Sequence, residues 1–173
     1  MTYIEDLTQF LPNHPPSPYN FPIHMKKGDK WGQGVLRDGQ ILLAVGWLGD
    51  NNPSEGKTSS ECIERLWNAY EAKHVISDGT AGFHNCEMCH GENEWYPDGD
   101  AGPIVRWQNR HLRVFGHGHF LIHYSEKVYL SPVLILHYIL DHGYKPPDEF
   151  IEAVCHGEFL ALSDLIWKKG NSS

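Results

Sequence analysis

The chain has 173 residues, enough for one domain that buries its own core, and its 40% hydrophobic and 12% aromatic content excludes a disordered chain. A formal charge of −8 repels phosphate backbones and so argues against general nucleic-acid binding. Gly (17) and Pro (11) are plentiful, which predicts many turns and an α+β rather than an all-helical chain.

Residues 1–30 read as an N-terminal arm, with a single α+β domain over 31–173. Tyr3, Ile4, Leu7 and Phe10 suit a short docking helix, and the Pro-rich Leu11–Pro18 stretch must be extended. Met1–Pro22 lacks a basic region followed by an apolar one, so no secretory signal is read there. The longest apolar run, Val133–Leu140, is broken by His137 and falls far short of the roughly 20 residues of a membrane span. The expected compartment is the cytoplasm, where disulfides are rare, so the four cysteines (62, 86, 89 and 155) read as thiols or metal ligands.

Val35–Leu48 has the pattern of a hairpin turning at Asp38-Gly39, with an apolar and therefore central second strand. Thr58-Ser59-Ser60-Glu61 is a capping box with Thr58 as the cap. Cys62, Ile63, Leu66, Trp67 and Tyr70 follow it at helical spacing, so Cys62 reads as a core thiol. Residues 75–101 are irregular. A meander of short antiparallel strands is predicted at Ile104–Trp107, Leu112–Phe115, His119–Tyr124 and Lys127–Leu130. Ser131-Pro132 then opens the predicted central apolar helix, Val133–His142, which Gly143 ends. Pro146-Pro147 starts a further helix over Asp148–Cys155, and an amphipathic segment covers Phe159–Trp167.

The chemical signal is Gly82-Phe83-His84-Asn85-Cys86-Glu87-Met88-Cys89-His90. Two thiolates separated by two residues converge on one soft metal ion from a tight turn, which points to zinc. The pair supplies half a tetrahedral site. His84 is near enough in sequence to be the third ligand, and His90 would have to turn back sharply. The fourth comes from His137, Cys155, Cys62, His117, His119 or a carboxylate. His137 is favoured as the one strongly polar side chain in an otherwise apolar helical stretch, where an unpartnered imidazole is costly. The alternative for His137 is a core histidine bonded to a backbone carbonyl.

Cys86-x-x-Cys89-His90 also matches the haem-attachment pattern, but that chemistry follows export. A thioredoxin-like pair needs a βαβ context that residues 75–95 lack. The zinc-deaminase order fails because His90-Gly91-Glu92 and His156-Gly157-Glu158 both follow the cysteines. Two unligated thiols in a loop is the remaining plain reading. His117 and His119 could chelate from one strand face, or be two solvated imidazoles in a Gly-loosened turn. His137 and His142, five apart, should lie on different helix faces, which argues against a shared ion.

The stretches Ala44–Leu48, Gly82–Cys89 and Ser131–Val154 together resemble a family of small bacterial proteins of unknown function. In it a VGWL strand, an HxCxxC loop and an HYxxxHxYxPPxEF tail recur in this order. The resemblance spans roughly Trp31 to Val154, groups His84, Cys86, Cys89, His137 and His142, and implies a bacterial cytosolic protein without assigning an activity.

Two functions follow as expectations. One is a binding protein with a structural zinc site (His84, Cys86, Cys89 and His137), its negative charge suited to a basic partner such as a nuclease toxin. The other is a metal-dependent, hydrolase-like enzyme with one open zinc position, in which Glu87, Glu92 or Glu94 serves as base and His117 or His119 assists.

Overall fold

Strand β4 (Ile41–Ala44) has no polar residue because the sheet it belongs to is covered on both faces. In the computed structural model, which describes residues 3–10, 23–27, 30–37, 39–49, 53–76, 86–90, 102–115 and 118–169, the other members of that sheet are β1 (Thr8–Phe10), β7 (His119–Tyr124), β8 (Lys127–Pro132) and β9 (Glu158–Phe159). Their order is β1-β4-β8-β7-β9; β4 and β8 run parallel and the remaining pairs antiparallel. Side chains alternate between faces. Leu43, Tyr129, Phe120 and Ile122 therefore meet the larger apolar cluster, with α1 (Ser60–Glu71), α3 (Ile135–Asp141) and α4 (Asp148–His156). Leu42, Ala44, Leu121, Val128 and Leu130 pack on the other face with Trp47, Ile76, Leu160 and Leu165.

The fold is α+β, and among the described residues the mostly antiparallel strands are divided among three sheets. β2 (Ile23–Lys27), β3 (Lys30–Val35) and β10 (Ile166–Lys169) form a second sheet in the order β10-β3-β2, while β5 (Ile104–Trp107) and β6 (Arg110–Arg113) form a third. Several local expectations change accordingly. Gly39 takes the left-handed conformation a turn requires (φ 87°), but β3 and β4 enter different sheets instead of pairing as a hairpin. The predicted meander is split, since β5 and β6 stand apart from the β7–β8 hairpin. Around Leu7, the expected docking helix is replaced by β1, paired with β4. Ser131 and Pro132 close β8 and do not cap α3, which is shorter than predicted. The segment read as a final amphipathic helix is β9, a 3-10 turn at Leu162–Asp164 and β10.

The cap of α1 also shifts by one residue. Ser59, not Thr58, accepts through its hydroxyl from the Cys62 amide (3.2 Å), and Thr58 donates instead to the Tyr144 carbonyl (3.4 Å). Ser59→Ala is expected to cost about 1 kcal/mol in a denaturant titration, whereas a loss from Thr58→Ala alone would restore the capping-box reading. Arg65 on α1 donates to the Val154 and Gly157 carbonyls at the end of α4 (3.0 and 2.9 Å), locking the two helices together. Among the described residues no helix is long and apolar enough to cross a membrane.

Candidate metal centre

Cys86 immediately precedes the single turn α2 (Glu87–His90), and the Cys89 amide donates to the Cys86 carbonyl (3.2 Å). Residues three apart on such a turn share a face, so both thiols point the same way. Cys86 is fully buried in the larger cluster and Cys89 is exposed. Opposite them stands α3, whose Ile135, Leu136, Tyr138 and Ile139 are buried and whose His137 is 3% exposed.

His137 is tied down by the next turn of its own helix. Asp141 Oδ2 accepts from His137 Nδ1 at 2.6 Å. The pairing turns the ring so that Nε2 faces the cysteines, 3.3 Å from Cys89 Sγ. This carboxylate–histidine pairing commonly orients metal ligands.

His142 follows the last helical residue. Had α3 continued, five residues would carry its side chain about 140° round the axis from His137. The helix stops instead: His142 has φ −113° and ψ 1°, and Gly143 reverses the chain at φ 66°. The two imidazoles meet edge to face with centroids 4.7 Å apart and Nε2 atoms 3.1 Å apart. The expectation that these histidines point away from a common ion is therefore corrected. Long-range contacts hold the turn. The Tyr144 hydroxyl donates to Asp6 Oδ2 (2.7 Å), the Gly46 amide donates to Asp6 Oδ1 (2.8 Å), and the Gly56 amide donates to the Gly143 carbonyl (3.1 Å).

Cys86, Cys89, His137 and His142 thus place four ligand atoms within 4.8 Å of one another, a cluster suited to a metal ion. Cys86 Sγ lies 3.3 Å from His142 Nε2, and Cys89 Sγ lies 3.3 Å from His137 Nε2 and 3.1 Å from His142 Nε2. A tetrahedral ion with ordinary zinc bond lengths separates sulfur from nitrogen by about 3.5 Å and the two nitrogens by about 3.3 Å. A few tenths of an ångström of adjustment makes the two sets agree. Burial, reinforced by the neighbouring Cys89, pushes the Cys86 thiol up to about 12. Burial also raises Cys89 and, aided by His137, lowers His142. The pocket by itself favours neutral thiols and a neutral His142 imidazole, so a cation is what would draw the protons from both sulfurs.

Of the ligands expected from sequence, Cys86, Cys89 and His137 come together. His84 lies outside the described residues, as do His117, Glu92 and Glu94. His119 sits on β7 with its ring 5.2 Å from that of Trp47. Cys62 is a fully buried core thiol, pushed up to about 12 chiefly by burial, and neither it nor the half-buried Cys155 joins the cluster. His142, set against a shared ion by its helical spacing and grouped with the others only by the family resemblance, joins the cluster, and Asp141 is a residue that the sequence reading does not name, although its i, i+4 spacing from His137 is a signal for it. Asp141→Ala is expected to weaken metal binding about 10–100-fold in a chelator competition. Unchanged affinity would remove Asp141 from the site.

The family model described as "Domain of unknown function (DUF7919)" matches residues 2–155, which include all four clustered residues. No curated protein and no solved structure matches the chain.

Proposed function

The chain belongs to the DUF7919 family of domains of unknown function, and we propose that it is a binding protein stapled by one structural zinc ion on Cys86, Cys89, His137 and His142. The observation that carries this reading is the convergence of four donor atoms within 4.8 Å. Two thiolates and two imidazoles in a tetrahedron suit zinc better than the harder divalent cations, which prefer oxygen. Four protein ligands also fill the shell, whereas a hydrolytic zinc keeps a position for water. The ion would fasten α2 to the end of α3, joining two segments separated by nearly fifty residues of chain.

The charge of −8 supports a basic protein as the partner, in the manner of a bacterial cytosolic immunity protein, because opposite charges speed encounter. Cobalt substitution tests the closed shell. The expected spectrum has the intense visible bands of tetrahedral cobalt and a sulfur-to-metal charge-transfer band. The weak bands of six-coordinate cobalt, or a spectrum altered by added anions that occupy an open position, would overturn it.

A further inference from the structure

The two cysteines of the centre differ sharply in exposure. Cys89 is exposed on α2, and Cys86 is fully buried beneath it. They are three residues apart on one helical turn, a spacing that puts α-carbons about 5 Å apart. A disulfide needs about 4.4–6.8 Å between α-carbons, and the two sulfurs already lie within 4.8 Å. The turn can therefore hold a metal through two thiolates or close on itself as a disulfide, with little change in the backbone.

We infer that the Cys86–Cys89 pair is an oxidation-sensitive release point for the metal, operated by low-molecular-weight disulfides; this rests on the metal-binding reading above. The exposed Cys89 thiolate attacks one sulfur of the incoming disulfide, forming a mixed disulfide and expelling the first thiolate. The Cys86 thiolate then attacks Cys89 Sγ, forming the internal bond and expelling the second. Two electrons pass from the cysteine pair to the oxidant, and the Cys86–Cys89 bond replaces the one broken. The ion loses both sulfur donors, keeps only His137 and His142, and departs. Burial of Cys86 sets the order, since an oxidant reaches Cys89 first and Cys86 can only resolve. The remaining thiols are placed differently: Cys62 is fully buried in the core, and Cys155 is half-buried on α4.

The test uses the full chain carrying Cys155→Ser, loaded with one equivalent of zinc and treated with dithiodipyridine beside a chromophoric zinc indicator. The expected result is two equivalents of thiopyridone for each zinc released, a Cys86–Cys89 disulfide by peptide mass spectrometry, and full rebinding after reduction. Zinc retained during oxidation, or released while Cys89 stays a mixed disulfide, would overturn the inference and leave the metal reading intact. A protein that takes up no zinc before oxidant is added would overturn both.

Discussion

Stripping the metal with a strong chelator is expected to lower the midpoint of thermal unfolding by about 8–16 °C. An ion that binds only the folded chain stabilises it by about 4 kcal/mol when its concentration is a thousandfold above its dissociation constant. For a chain of this length each kcal/mol moves the midpoint by about 2–4 °C. Of the four donors only Cys86 is a member of either apolar cluster, so the metal-free chain is expected to remain folded and to loosen locally. Hydrogen exchange is expected to accelerate first at Cys86–His90 and around His142–Tyr144, while β4, β7 and β8 keep their protection. An unchanged midpoint, or protection lost evenly across the sheet, would show that the cluster does not staple these segments.

Trp47→Ala is expected to be the most damaging single change on the opposite face of the sheet, costing about 3–5 kcal/mol and about 6–20 °C in midpoint. Trp47 is fully buried among Leu42, Leu121, Val128 and Leu130, and its indole N–H donates to the Leu130 carbonyl at 3.4 Å. That carbonyl also accepts from the Val45 amide (3.0 Å), so the cost comes from the cavity rather than an orphaned acceptor. Of the four clustered residues, Cys86 packs in the larger cluster on the other side of the sheet. Trp47→Ala should accordingly keep its metal stoichiometry while losing stability, the reverse of the pattern expected for Cys86→Ser. A midpoint shift below about 2 °C would mean that the pocket collapses around the missing ring.

The parts of the site that sequence makes legible are those with local causes. A Cys-x-x-Cys spacing brings two thiols to one side of a turn wherever it occurs, and an imidazole inside an apolar helix demands a partner. Spacing argues wrongly against His142, which only the family resemblance groups with the others, because helical periodicity holds only while the helix lasts. Its position depends on α3 ending at Asp141 and on Gly143 at φ 66°, held through Tyr144 by Asp6 from the far end of the chain. Strand pairing fails for the same kind of reason. Asp38-Gly39 announces a reversal but does not say which sheet the next strand joins, and β4 joins β8 in parallel across more than eighty residues. Its unbroken apolar sequence did reveal that β4 is an interior strand. The α+β class and most helices and strands are visible in the sequence because burial imprints a period on them, even where their ends shift by a few residues.

Elemental analysis of untagged protein purified without chelator, with Cys86→Ser prepared in parallel, tests directly whether the four clustered residues hold zinc. One equivalent of zinc per wild-type chain and almost none in the variant are expected. A folded wild-type chain without stoichiometric metal, or a Cys86→Ser variant that retains a full equivalent, would contradict zinc binding by these residues.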